Sequence, residues 1–276
     1  MRRTLAILLA VVASAGAARA ASASTITPQV SSNWSGYAAI ATDETVSTSF
    51  TDVTGTWVQP KATCTIGRAS SSAFWVGIGG YDESSNSLQQ LGTGIDCSGN
   101  TTTPSYYAWW ELVPASAQQI KTLKIFPGDT ITAAVLVSGQ KITFSLRNVT
   151  RKTRFSKVMT TAQAIDTGSA EWVAEAPSEC GSVGRCRVVP LTNFGTVTFT
   201  NAAVIANGQP GTLIGPTTPA GPSPWTATPI ELIGGGSGRG FFGRVDAESG
   251  IGAVPSDLTA DGRGFSIGWA QNLTAP

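Results

Sequence analysis

The chain has 276 residues, 41% of them hydrophobic and only 13% charged, with a formal net charge of +1 and no histidine. Without imidazole there is no Ser-His-Asp triad, no Cys-His dyad and no HExxH zinc site, so hydrolysis would rest on carboxylates, amides, hydroxyls or lysine. The near-neutral balance argues against binding to polyanions, so no nucleic-acid partner is expected.

The N-terminus gives an address. Arg2 and Arg3 precede the apolar run LAILLAVVASAGA, which ends in Ala18-Arg19-Ala20, a small-x-small cleavage pattern. Residues 1–20 are expected to be a cleaved secretory signal, too short to span a bilayer comfortably. No membrane association is expected, and cleavage leaves 15 basic against 17 acidic residues, a net charge of −2. Residues 21–32 read as a short polar lead or small propeptide, and 33–276 as one domain.

Strand signals recur from there on, as short runs rich in Val, Ile, Thr, Phe, Tyr and Trp punctuated by turn residues. In chain order they are Trp34–Ala41, Val46–Val58, Ala73–Ile78, Tyr106–Val113, Gln119–Ile125, Thr130–Val137, Lys141–Asn148, Thr153–Val158, Ala170–Ala176, Gly195–Asn201 and Phe265–Trp269. Turn chemistry falls between them at Pro127-Gly128-Asp129, Ser138-Gly139-Gln140 and Asp261-Gly262. Long loops are expected over Asn207–Pro224 and over the glycine run Gly234–Gly240, which lacks the spacing of a phosphate cradle. Helical periodicity is nearly absent. The fold class is therefore all-β, an antiparallel sandwich or barrel.

Four cysteines in an exported chain suggest two disulfides. Spacing favours Cys180–Cys186 as a loop staple, which leaves Cys64–Cys97, over the other two pairings. No CxxC spacing and no histidine support zinc, so neither metal nor cofactor is expected.

Three patches can carry chemistry. Phe74–Cys97 runs from a strand bearing Trp75 through a polar loop to Gln89 and Gln90, whose neutral amides donate hydrogen bonds at any pH. In SYYAWWELVP, Ser105–Pro114, alternation puts Tyr107, Trp109, Glu111 and Val113 on one face. A carboxylate among aromatics is either a groove residue or a buried group in need of a partner. In AEWVAEAP, Ala170–Pro177, Glu171, Val173 and Glu175 share a face, which alternation alone reads as solvated.

The segments SNWSGYA (Ser32–Ala38), WVGIGGY (Trp75–Tyr81), QLGT (Gln90–Thr93), YYAWWELVP (Tyr106–Pro114), AEWVAEAP and FGTVTFTNA (Phe194–Ala202) occur in one order. Together they resemble the glutamic peptidases, or eqolisins, which are secreted, acid-active, pepstatin-insensitive endopeptidases. The resemblance runs from Ser32 to Ala202, with a looser C-terminal third. It implies a single antiparallel β-sandwich of two large curved sheets, concanavalin- or lectin-like, acting as a monomer on protein or peptide substrates. It also implies a catalytic pair of Gln90 and Glu171, with Trp75, Trp109 and Glu111 around the cleft and Glu175 in support.

Two positions depart from the pattern. Gly79 stands where fungal members carry an aspartate, with Asp82 and Asp96 as candidates to compensate, and Val113 replaces a tyrosine. Gln89 is the alternative to Gln90. In the implied mechanism Glu171 activates water and returns the proton to the amine, while Gln90 stabilises the oxyanion. Nearby donors are expected to hold Glu171 ionised in acid. Two alternatives stand beside this reading: a lectin-like carbohydrate-binding module, and a glycosidase using Glu111 and Glu171 as paired carboxylates.

Overall fold

A computed structural model describes residues 27–273 apart from 44, 46, 83, 181–185, 217–222 and 235–249. The secretory segment expected over 1–20 lies outside the described residues. In chain order the strands are β1 (Gln29–Ser31), β2 (Trp34–Ala41), β3 (Phe50–Val58), β4 (Ala69–Ile78), β5 (Gln89–Ser98), β6 (Ser105–Leu112) and β7 (Gln118–Gln119). They continue with β8 (Thr130–Ser138), β9 (Lys141–Asn148), β10 (Thr153–Thr160), β11 (Ser169–Glu175), β12 (Ser178–Cys180) and β13 (Cys186–Val188). The last five are β14 (Thr196–Ala206), β15 (Gln209–Gly211), β16 (Trp225–Ile233), β17 (Ile251–Pro255) and β18 (Phe265–Gln271). No helix among the described residues is long and apolar enough to cross a membrane.

The strands form a two-layered antiparallel sandwich, as expected. Hydrogen bonding runs in the order β10-β9-β8-β3-β14-β18-β17-β16-β2-β11-β4-β5-β6-β7, so one layer continues into the other through β18, β17 and β16. The layers meet where β3 and β8 pack on β4, β8 and β9 on β5, and β3 and β14 on β11. Even-numbered residues of β11 (Ala170, Trp172, Ala174) point into this interior with Phe74, Val76, Ile78, Leu91 and Ile95. Two indoles tie the layers together: Trp172 Nε1 donates to Thr54 O at 2.7 Å, and Trp57 Nε1 donates to Thr93 Oγ1 at 3.0 Å. Gly55 allows the first contact, because a Cβ there would lie 2.8 Å from the Trp172 ring.

Several boundaries differ from the sequence reading. Gln29–Ser31 pairs in parallel with Ile230–Leu232, so the sheet begins ahead of the expected domain start at residue 33. Gln119–Ile125 is a strand only over Gln118–Gln119; Ile120, Leu123 and Ile125 are buried in a turn instead. Trp225–Ile233 is a full strand, and so is Gln89–Ser98, inside its layer between β4 and β6. Cys64 and Cys97 form the expected disulfide. The backbones of Cys180 and Cys186 are register partners across β12 and β13, but the side chains of that expected pair lie outside the described residues.

Candidate active site

The outer face of the layer β16-β2-β11-β4-β5-β6 carries the chemistry, and register alone assembles it. Reading across the strands, Thr228, Ala38, Glu171, Gly77, Gln90 and Glu111 form one continuous row. The next row is Ile230, Gly36, Val173, Trp75, Gly92, Trp109 and Gln119. A third holds Trp34, Glu175, Ala73, Gly94 and Tyr107. Glu171 and Gln90 are therefore two strands apart on the same face, about 10 Å between backbones at ordinary strand spacing. Gln89 points to the opposite face, where its side-chain amide meets the Ser87 hydroxyl. Gln90, not Gln89, shares the face of Glu171.

Glycines make room in the lower rows. At Gly77 a Cβ would lie 2.9 Å from Trp75 Cζ3 and 3.1 Å from Leu88 Cδ1, so the Trp75 rim and Leu88 occupy the space between Glu171 and Gln90. At Gly94 it would lie 2.3 Å from the Tyr107 ring. Trp75, Leu88, Trp109, Val113, Val173, Ala38, Ala73, Trp34 and Ile230 form an apolar cluster on this face, separate from the core between the layers. Within it Trp34 meets Trp75 edge-on, ring centroids 5.0 Å apart.

The expected solvated face for Glu171 and Glu175 is not what forms. Glu171 is fully buried, and neither carboxylate oxygen has a hydrogen-bond partner among the described residues. Burial drives its pKa well above the usual carboxylate range. The Ser169 hydroxyl lowers it somewhat through a contact that falls short of hydrogen-bond geometry, and the Asp166 charge raises it further. The expectation that donors hold Glu171 ionised is overturned: the donors stand at the other glutamate. Glu175 is 7% exposed, and it accepts hydrogen bonds from Trp75 Nε1 at 2.8 Å and Asn33 Nδ2 at 3.2 Å. Burial and the Glu111 charge nevertheless push its pKa up to about 8.

Gln90 Nε2 donates to Glu111 Oε2 at 2.7 Å. Burial raises the Glu111 pKa and this bond lowers it. A cleft of about 550 Å³ opens beside the pair, lined by Gln90, Glu111, Trp109, Tyr107, Asp96 and Glu175 among others. Trp109 walls it. Trp75 does not line it; it lies beneath, fully buried, holding Glu175.

Neither proposed substitute for the missing aspartate is beside Glu171. Asp82 is exposed and bonded to Ser84, and Asp96 accepts from Ser71 Oγ at the far end of the cleft. The carboxylate that does act on Glu171 is that of Asp166, which sequence reasoning missed, as it missed Asn33 and Tyr81. Asn33 stands within the quoted SNW segment, but only the pairing of β2 with β11 shows what it touches.

A model of the Peptidase A4 family matches residues 32–220. This chain belongs to the peptidase A4 family. Aspergillopepsin-2 of Aspergillus niger is 28% identical over 234 residues, 76% of this chain and 74% of that protein. Two solved structures share the fold. Scytalido-glutamic peptidase, solved with a peptide-based transition-state analogue, is 24% identical over 87% of this chain and 98% of its own, with a TM-score of 0.64. SCP-B, an eqolisin-family peptidase solved with the tripeptide Ala-Ile-His, is 23% identical over the same shares, with a TM-score of 0.62. The chain is a secreted acid endopeptidase of the glutamic-peptidase type, using a glutamate–glutamine mechanism. Membership sets aside the lectin and glycosidase alternatives.

Proposed function

We propose that Glu171 and Gln90 are the catalytic pair and that the peptide lies along the cleft bounded by Trp109, Glu111 and Glu175. The observation that carries this is the row Glu171-Gly77-Gln90-Glu111, which puts on one face a buried carboxyl with no hydrogen-bond partner among the described residues and, two strands away, an amide fixed by Glu111.

Burial keeps Glu171 neutral in acid, and a neutral carboxyl is a two-way proton carrier. As water oxygen bonds to the scissile carbonyl carbon, one Glu171 oxygen takes the water proton while the other gives its own to the carbonyl oxygen. The C–N bond then breaks, one hydroxyl proton passes through the same carboxyl to the leaving nitrogen, and the carbonyl re-forms. Both Glu171 oxygens are free of hydrogen-bond partners among the described residues, as this exchange requires. Gln90 has two amide protons. One is engaged by Glu111, which fixes the amide's orientation, and the other is available to the oxygen on which charge develops.

The sandwich reads as a pair of curved, lectin-like sheets with the cleft on a concave face, working as a monomer on protein or peptide substrates. A secretory signal over 1–20, a short lead beyond it, and a second disulfide at Cys180–Cys186 complete the proposal. The test is proteolysis of a denatured protein near pH 3, with and without pepstatin, for wild type, Glu171→Gln and Gln90→Ala. Pepstatin-insensitive activity lost in both variants supports the pair; full activity in both variants refutes it.

A further inference from the structure

The segment after β4 is fastened to the lead into β11 by one carboxylate and two backbone amides. Asp166 Oδ2 accepts from the Gly80 amide at 2.9 Å and from the Ser85 hydroxyl, and Asp166 Oδ1 accepts from the Gly168 amide at 2.8 Å. The Asp166 amide in turn reaches Ser87 Oγ at 3.4 Å, and the Gly79 amide bonds Ser169 O at 3.0 Å. This seam needs a glycine at 79. Its φ is +81°, and a Cβ there would lie 2.5 Å from Asp166 O and 2.9 Å from Asp166 Cβ. The residue that departs from the family pattern is thus what lets Asp166 approach.

The fastened segment lies against the Glu171 row. Leu88 sits against Gly77, the register partner of Glu171, and Tyr81 packs on the same apolar cluster. Tyr81 and Glu171 feel each other electrostatically, and the Tyr81 hydroxyl is turned toward Thr228, in the Glu171 row. The groups facing Glu171 can be named from each side. Asp166 comes from its own lead-in and Tyr81 from the segment after β4. Uncharged Ala38 and Gly77 come from β2 and β4, with Leu88 against Gly77, and Thr228 lies further along the row on β16.

We propose that Asp166 is a positioning residue for catalysis: it clamps the segment after β4 against the Glu171 row and carries a charge five residues ahead of Glu171, and together these set the pH range over which the enzyme is active. The inference rests on Glu171 as the acid–base group. Since the working carboxyl is neutral, activity persists below its pKa and is lost as pH rises through it. A like charge nearby moves that limb upward, so removing the charge moves it down.

The experiment is the pH dependence of kcat and KM on a quenched fluorescent peptide, with Tm measured alongside, for wild type, Asp166→Asn, Ser85→Ala and Glu171→Gln. Asp166→Asn is expected to shift the alkaline limb of kcat/KM down by ~0.5 pH unit or more, the scale of a lost like-charge neighbour. Ser85→Ala keeps the charge and loosens the clamp. It is expected to change KM and to speed hydrogen exchange in the segment after β4 while the limb stays in place. A limb unmoved in Asp166→Asn, with any loss of activity matched by the loss of folded protein, overturns the proposal. If Asp166→Asn does not fold, wild-type KM and exchange in Ser85→Ala overturn the clamp instead. Full activity in Glu171→Gln would indicate failure of the catalytic reading itself, a result distinct from either of these.

Discussion

Glu171 and Glu175 lie four residues apart on one face of β11, and the protein treats them in opposite ways. Glu175 lines the open cleft and is held by an indole N–H and an amide N–H. Glu171 is fully buried, with apolar groups beside it and no hydrogen-bond donor on either oxygen among the described residues. Both are pushed toward the neutral form, chiefly by burial. The difference is in what each oxygen is free to do. Glu175's two oxygens are committed to Trp75 and Asn33, which suits a fixed wall of the cleft. Glu171's oxygens are uncommitted, which suits a group that must take and give protons within one turnover.

The largest test of this contrast is at Glu171 itself. Glu171→Gln keeps the shape and removes the exchangeable proton, and kcat should fall about 10²–10⁴-fold with KM little changed. Steady-state kinetics on a peptide substrate measure it. Gln90→Ala comes next: loss of one oxyanion donor should reduce kcat by about 2.7–4 kcal/mol of transition-state stabilisation. That variant also leaves Glu111 without its 2.7 Å donor, so the Glu111 pKa should rise further.

At Glu175 the predicted effect is on stability. Its folded pKa, about 8, exceeds the ordinary 4.5, so the folded state binds the proton more tightly. That stability is fully present below the unfolded pKa and is lost as pH rises from about 4.5 to about 8, an effect on the order of a few kcal/mol. Glu175→Gln should flatten this part of the decline when urea unfolding is followed across that window, and should leave stability near pH 4 almost unchanged. An equally steep decline in the variant would mean that Glu175 is not the group responsible. Trp75→Phe removes the 2.8 Å donor while keeping most of the ring, and should lower stability by about 0.5–1.5 kcal/mol. Smallest is Tyr107→Phe. It deletes a 3.3 Å contact to Asp96 and should change stability by less than about 1 kcal/mol without moving the pH limb of kcat/KM.

Much of the sheet could be read from alternation, because strands such as Thr130–Ser138 and Lys141–Asn148 carry it intact. The strand Gln89–Ser98 could not. Gly92 and Gly94 and its glutamines imitate a loop, yet the missing side chains are what admit the Trp75 backbone and the Tyr107 ring. Trp225–Ile233 was hidden by Pro229, which lies one residue outside the stretch paired with β1. The site divides in the same way. Glu171, Gln90, Glu111 and Trp75 belong to ordered motifs and could be named in advance. Asp166 and Asn33 are bonded to partners 86 and 142 residues distant, Tyr81 is turned toward Thr228 on another strand, and only strand register brings those together. Burial was the other quantity alternation could not supply. A face with two carboxylates reads as wet until Leu88, Tyr81 and Val113 are seen to cover it.

The central claim is that Glu171 works as a neutral carboxyl. It is tested most directly by infrared difference titration of the protonated carboxyl band, wild type minus Glu171→Gln, compared with the alkaline limb of kcat/KM. The account predicts a protonated carboxyl that persists well above pH 4.5, is absent from the variant, and titrates with the same midpoint as the loss of activity. A Glu171 carboxyl that is already ionised at the pH where the enzyme is most active would contradict it.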